Sequence, residues 1–367
     1  MAKIIVAMSG GVDSSLAAAL LHEQGHEVVG VTMHLWEGDD DRFAESLCCS
    51  LEMTESARRV CAQLDVPYYV FNYQREFRRH VVDAFVRAYA QGYTPNPCLE
   101  CNREIKFRAL LARASQLGYE YVATGHYAQR QETRESALLP PIYTLQRAID
   151  REKDQSYVLY MLQQAELARL IFPLGGYYKS EVRAMAAARG LDSAERPESQ
   201  DICFVPDGDY RNLLRAEAPE SLIPGPIVDQ QGRELGRHRG LPLYTIGQRR
   251  GLGIHSSEPL YVTGLDIARN VLLVGPAAAL LQREFQVERA SVVAGSWPTA
   301  PFACEVQVRA HGATALAEIT PGIEGGLTVR LREPLRAISP GQAAVFYDGD
   351  RVIGGGTISR PSISQQE

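Results

Sequence analysis

The chain opens with a short apolar run, Ile4-Ile5-Val6-Ala7-Met8, that enters Ser9-Gly10-Gly11-Val12-Asp13-Ser14-Ser15 without a spacer. An apolar strand, a Ser/Gly turn and an Ala/Leu-rich helix through Leu21 predict the first β–turn–α unit of a parallel sheet. Such a unit aims backbone N–H groups and the positive end of a helix at one spot, which suits an anion. The two glycines let the turn bend sharply and approach a ligand with no Cβ in the way. Ser9 and Ser14 add hydroxyl donors, and Asp13 is a candidate to hold Mg2+ against phosphates. The turn is not a Walker loop, because no Gly-Lys-Ser/Thr follows.

The first half of the chain keeps this alternation. Val28 to Met33, Tyr68 to Phe71 and Tyr121 to Gly125 read as strands, and 55–64, 76–90 and 103–117 as helices. The predicted fold class is α/β, a doubly wound parallel sheet with ligands at the C-terminal ends of its strands. A helix from Lys179 to Arg189 and a loop from Pro197 to Pro206 close it. Past Asp207 the Gly and Pro content rises (Pro224-Gly225-Pro226, Gly232, Gly236, Gly240), marking a small central domain. The last stretch alternates apolar and polar residues with turns such as Asp348-Gly349, the pattern of a small β-barrel. The expected division is 1–206, 207–275 and 276–367.

The 367 residues contain no apolar run long enough to span a membrane, and Met1-Ala2-Lys3 leads into a core strand rather than a secretory signal. These features predict a cytoplasmic protein. A net charge of −6 weighs mildly against a nucleic-acid partner. Two local clusters offset it: Arg103, Lys106, Arg108 and Arg113, and then Arg237, His238, Arg239, Arg249 and Arg250. In such a chain the 7 cysteines argue for chemistry rather than a disulfide framework. Cys61 and Cys304 sit in apolar runs and read as core; Cys48, Cys49, Cys98, Cys101 and Cys203 lie in loop-like segments.

Thr94-Pro95-Asn96-Pro97-Cys98-Leu99-Glu100-Cys101-Asn102 is a stiff approach to a helix for which Asn102 is the expected cap. Cys101 would then lie at a helix N-terminus beside Arg103 and Lys106, two influences that favour the thiolate. A third cysteine follows a hundred residues later in Glu198-Ser199-Gln200-Asp201-Ile202-Cys203-Phe204. A Cys-x-x-Cys with one distant partner leaves a redox pair or an incomplete metal site open.

Together with Ala123-Thr124-Gly125-His126-Tyr127, Lys153-Asp154-Gln155-Ser156-Tyr157, Thr245-Ile246-Gly247-Gln248-Arg249-Arg250-Gly251-Leu252 and Pro340-Gly341-Gln342, these segments closely resemble the tRNA-specific 2-thiouridylases. The likeness covers nearly the whole chain, and its first turn resembles the pyrophosphatase loop Ser-Gly-Gly-Xaa-Asp-Ser. The resemblance implies an adenine nucleotide alpha hydrolase-like fold and 2-thiolation of the wobble uridine of tRNA. ATP, with Mg2+, would adenylate the uracil C2 oxygen. It assigns ATP contacts to Ala7, Met8, Ser9, Gly10, Gly11, Val12, Asp13, Ser14, Met33 and Gly125.

Sulfur would arrive from a persulfide-donating carrier protein and ride on Cys203, with Cys101 as the nucleophile that releases it. Release would free hydrosulfide or end in a Cys101–Cys203 disulfide. Target-base contacts fall on Asn96, Pro97 and Cys98, and further tRNA contacts on His126, Lys153, Asp154, Gln155, Arg309 and Gln342. Cys98, Cys101 and Cys203 around an iron–sulfur cluster with one open iron is the alternative route. Outside this class stand an ATP-pyrophosphatase that delivers ammonia, which would leave the cysteines without work, and a non-catalytic RNA-binding module.

Overall fold

Strand β1 (Lys3–Ala7) carries four consecutive buried residues, the mark of a strand covered on both faces. It pairs in parallel with β2 (Glu27–His34) on one side and β4 (Tyr121–Thr124) on the other, and β3 (Tyr68–Asn72) continues beyond β2. The chain therefore runs outward from β1 through β2 and β3, then crosses back to β4. The gap between β1 and β4 is the switch point at which open α/β sheets bind ligands. The computed structural model describes residues 1–36, 51–134, 136, 139–194, 202–205, 208–322 and 325–360. Cys48, Cys49 and Glu198 to Asp201 lie outside them.

Helix α1 (Val12–Glu23) leaves the end of β1 and is buried almost all round. Helix α2 (Leu51–Gln63) covers β2 and β3, with Cys61 fully buried against Gly30. Helix α3 spans 74–90 and α4 spans 97–116, each with a π-helical stretch, Arg78–Val82 and Cys101–Ala109. Such stretches widen a helix locally and recur at functional sites.

Between β4 and the last sheet strand the chain makes a hairpin, β5 (Ala128–Thr133) and β6 (Ile142–Arg147), that leaves this sheet. It then returns as β7 (Leu170–Ile171), parallel to β4, and enters α5 (Lys179–Ala188), which packs on α1.

Past α6 (Tyr210–Glu217), four strands form the central sheet in the order β10-β11-β8-β9: β8 (Gly225–Val228), β9 (Glu234–His238), β10 (Tyr261–Asp266) and β11 (Val271–Gly275). The remaining six, β12 (Leu281–Val292), β13 (Phe302–Gln307), β14 (Ala315–Pro321), β15 (Leu327–Arg336), β16 (Ala343–Asp348) and β17 (Arg351–Ile358), close into a barrel through the β12–β17 pairing. Closure removes the sheet edges, and Val287, Val306, Ile319, Val329 and Phe346 fill the interior.

Two findings depart from the sequence reading. The β5–β6 hairpin, expected nowhere, extends the barrel sheet from the N-terminal half: Gln146 pairs with Arg351 of β17. The Arg147 guanidinium also stacks 3.6 Å from the Tyr347 ring centroid, and Tyr157 donates to the Ala343 carbonyl. The first and last domains are thus clamped to each other. Second, the helix expected from Arg103 starts at Pro97, because Asn96 Oδ1 caps the Cys98 amide at 3.1 Å and Pro97 is the proline favoured at a first helical position. Asn102 is therefore no cap. It is buried and donates to the Val158 carbonyl at 2.9 Å.

Candidate active site

The Ser9–Ser15 turn stands at the C-terminal end of β1, facing the switch point. Met8 is buried beneath it, its amide bonded to the Val31 carbonyl and its carbonyl to the Thr32 hydroxyl. Ser14 Oγ receives the Ser9 amide at 3.1 Å and donates to the Gly11 carbonyl, so the turn is held from inside. Gly10 adopts φ +79°, and a Cβ there would lie 2.2 Å from the Met53 carbonyl oxygen. Gly11 is the N-cap of α1 and no side chain caps the first turn. The first-turn amides of Val12, Asp13 and Ser14 have no intrahelical acceptor, which suits this turn to an anion. Gly125 closes the floor, since a Cβ there would meet the Ser14 amide at 2.8 Å. Ala7 ends β1, and Met33 is the penultimate residue of β2.

Asp13 carries three bonds that the sequence did not foretell. Its Oδ1 accepts from the Tyr127 hydroxyl at 2.8 Å, and both oxygens accept from Lys179 Nζ at 2.7 and 2.8 Å. Lys179 and Tyr127 are residues that sequence reasoning passed over. The available signal was a lysine at the first position of a helix, where the dipole disfavours a cation. For Mg2+ the donor set fits in kind, a carboxylate beside phosphate-facing amides, but here that carboxylate is already neutralised by Lys179.

The candidate cysteines lie on α4 and beside α3. Cys98 is exposed in the first turn of α4, whereas Cys101 is 8% exposed and one turn further in. The helix dipole therefore falls on Cys98 rather than Cys101. Arg103 pairs with Glu100 at 2.7 Å. Cys203 is half-buried, anchored by Phe204 wedged edge-on against Phe77 and Phe85 of α3.

Cys101 belongs to the core cluster on which Cys203 packs. Among the described residues no three His, Cys, Asp or Glu side chains are grouped to hold a metal ion, so Cys98, Cys101 and Cys203 do not fit the iron–sulfur alternative. Burial pushes the thiols of Cys61 and Cys304 up to about 11 and about 12, which marks both as inert core.

The Asn96–Pro97 segment is gripped by the barrel. Gln342 Nε2 donates to the Thr94 carbonyl at 2.7 Å, and the Thr94 amide to the Pro340 carbonyl at 2.8 Å. Beside this grip α3, α4 and the barrel enclose a cleft of about 490 Å³, lined among others by Arg79, Arg87, Pro95, Asn96 and Arg289.

The other residues matched to tRNA contacts have structural partners. Asp154 accepts from the Ala148 amide and the Ser156 hydroxyl and is buried against Arg147. The side-chain carbonyl of Gln155 accepts the Tyr127 amide, and Lys153 is half-buried. Arg309 donates to the Arg336 and Ala337 carbonyls. His126 is buried between Phe107 and Phe172 with Nδ1 2.7 Å from the Thr124 hydroxyl. Burial, reinforced by the Lys106 charge, holds it well below the usual histidine range.

Residues 2–207, 211–276 and 282–358 match three domain families in order: the tRNA methyl transferase HUP domain, the tRNA methyl transferase PRC-barrel domain and the aminomethyltransferase beta-barrel domain. The tRNA-specific 2-thiouridylase MnmA of Roseiflexus sp. (strain RS-1) is 68% identical over 98% of this chain and 100% of its own length. That of Chloroflexus aurantiacus (strain ATCC 29366 / DSM 635 / J-10-fl) is 64% identical over 99% of this chain and 100% of its own.

The chain belongs to the tRNA-specific 2-thiouridylase family. Membership extends to more distant 2-thiouridylases, such as that of Symbiobacterium thermophilum, 48% identical over 98% of this chain and 92% of the relative. A 4-thiouridine synthetase–RNA complex with bound ATP aligns with 60% of this chain and 51% of its own, at 17% identity and a TM-score of 0.34. As a member of the 2-thiouridylase family the chain carries a HUP-type parallel sheet, a PRC-barrel middle domain and a closed C-terminal β-barrel.

Proposed function

We propose that this chain uses ATP to thiolate C2 of the wobble uridine of tRNA, with domains divided near 206 and 275 and the reaction run in the cytoplasm. The observation that carries this reading is the Ser9–Ser15 turn at the sheet's switch point, on one chain with cysteines on α4 and beside α3. The C2 oxygen of uracil is a poor leaving group. Adenylation through the anion-binding turn converts it to AMP and releases pyrophosphate. Mg2+, held by Asp13, would supply charge neutralisation at the phosphates. Ser9, Ser14 and the first amides of α1 hold the phosphates, and Gly125 lets β4 close under them.

Sulfur enters as a persulfide on Cys203 from a carrier protein. The Cys101 thiolate attacks the Cys203 sulfur, the bond to the outer sulfur breaks, and hydrosulfide leaves with the electron pair. Hydrosulfide displaces AMP from C2, and an external thiol reduces the resulting Cys101–Cys203 disulfide. Cys101 is buried, so the Asn96–Cys98 segment must shift as the flipped base enters. Asn96, Pro97 and Cys98 frame that base, with the Gln342 grip setting their position. His126, Lys153, Asp154, Gln155 and Arg309 hold the segments that surround the tRNA. Methyl transfer, named in two of the family descriptions, would leave both this turn and the cysteines without work.

The test is incubation with ATP, Mg2+, a persulfide donor and wobble-uridine tRNA, followed by nucleoside mass spectrometry. Formation of 2-thiouridine that disappears in Cys203→Ser supports the reading. ATP turnover without thiolation would favour the ammonia-delivering class.

A further inference from the structure

Lys179 is costly where it stands. Its side chain is 10% exposed, and it opens helix α5, whose dipole repels a cation. Its ammonium donates to both oxygens of the Asp13 carboxylate and lies 5.5 Å from the Tyr127 ring centroid. Asp13 is 166 positions earlier, in the first turn of α1, with 32% of its side chain exposed. The fold has little need of this pair, because α1 and α5 already share an apolar core through Leu16, Leu20, Val182 and Ala186. Buried ion pairs are in any case a weak source of stability.

The charge arithmetic explains the arrangement. A bare Asp13 carboxylate would repel ATP, whereas the Asp13–Lys179 pair carries no net charge. The turn also lacks the lysine that a Walker loop carries as its phosphate-binding point charge. With the Ser9–Ser15 turn read as the ATP site, we propose that Lys179 is its phosphate-binding cation. It holds Asp13 while the site is empty and passes to an ATP phosphate oxygen when Mg2+ takes the carboxylate. Mg2+ and ATP binding are thereby coupled through one ion pair, and α5, joined through the Lys179 amide to Asp150, senses the exchange.

The experiment is calorimetric titration of the full chain with ATP and, separately, with adenosine, in Mg2+ and in EDTA. Loss of a charge-assisted bond to phosphate predicts that Lys179→Met binds Mg2+–ATP about tenfold to a hundredfold more weakly while adenosine affinity stays within about twofold. Equal weakening for both ligands, or none for ATP, would overturn the proposal.

Should Lys179→Met fold poorly, Asp13→Asn keeps the cation in place. In EDTA that variant should bind ATP more tightly than the wild type, and adding Lys179→Met should erase the gain. A gain that survives in the double variant would assign the effect to carboxylate repulsion alone and overturn the role of Lys179. A wild type that binds adenosine and ATP in neither condition would instead overturn the ATP reading on which the proposal rests.

Discussion

Gly10 and Gly11 are neighbours that tolerate a methyl group very differently. At Gly10 the backbone is left-handed, φ +79°, and a Cβ would sit 2.2 Å from the Met53 carbonyl oxygen and 2.9 Å from its carbon. The obstacle is backbone of α2, tied to the turn by the Ser56 hydroxyl on the Gly10 carbonyl, so it cannot swing aside. The left-handed conformation costs an alanine about 1–2 kcal/mol. Overpacking adds about 1–3 kcal/mol, for a total of roughly 2–5 kcal/mol.

At Gly11 the backbone is extended and a Cβ meets only Ser9 Oγ at 3.7 Å. Alanine there should cost no more than about 1 kcal/mol, the usual range for an N-cap change. For a domain of roughly 200 residues each kcal/mol moves Tm by about 2–4 °C. Melting followed by calorimetry should thus show Gly10→Ala lowered by about 4–20 °C and Gly11→Ala shifted by no more than about 4 °C. Gly11→Ala should nevertheless bind ATP more weakly, because its methyl projects into the anion's approach. Equal shifts for the two variants, or a Gly10→Ala Tm within about 2 °C of the wild type, would refute this account of the turn.

Other perturbations test other parts of the structure. His126 has a depressed value in the folded state, so its contribution is fully present above the ordinary value of 6.5 and is lost as pH falls below it. Urea titrations between pH 7 and about pH 5 should show stability falling by up to about 1.4 kcal/mol per unit on its account, a slope that His126→Gln removes. If the slope survives, the histidine is not buried neutral.

Iodoacetamide on the native protein should label exposed Cys98 and spare Cys61 and Cys304, whose thiols burial pushes to about 11 and about 12. Labelling of either buried thiol before unfolding would contradict the packing. Gln342→Ala removes one neutral hydrogen bond on the Thr94 carbonyl, worth about 0.5–1.5 kcal/mol. It should lower kcat/KM for tRNA about twofold to tenfold with KM for ATP unchanged. A change in the ATP term alone would deny that the barrel acts through the 93–97 segment.

The parallel sheet was legible because its central strands are buried on both faces, and runs such as Ile4 to Met8 and Val28 to Met33 announce that directly. The β5–β6 hairpin was not legible. Its residues, Gln129 to Thr133 above all, are polar and half-exposed or exposed, so neither an apolar run nor a clean alternation marks them. The start of α4 does carry a local signal: Asn96-Pro97 is a cap followed by a proline at the first helical position, a pair that also fits a stiff loop.

In the site, the turn's glycines and serines carried their own geometry. The Asp13–Lys179 and Gln342–Thr94 ties join positions 166 and 248 residues apart, and no local pattern encodes them. Asp154 shows the converse limit, since the motif that singled it out does not reveal that its carboxylate is spent on Ala148 and Ser156.

The central claim is that ATP activates the base, with the uracil C2 oxygen leaving as part of AMP. An anticodon stem-loop carrying ¹⁸O at C2 of the wobble uridine, turned over once by the wild-type chain with ATP, Mg2+ and a persulfide donor, tests it directly. Adenylation of that oxygen predicts one ¹⁸O in the phosphate of the AMP for each 2-thiouridine formed. Thiolation that yields unlabelled AMP would mean that ATP is spent elsewhere than on the base, and would contradict the mechanism.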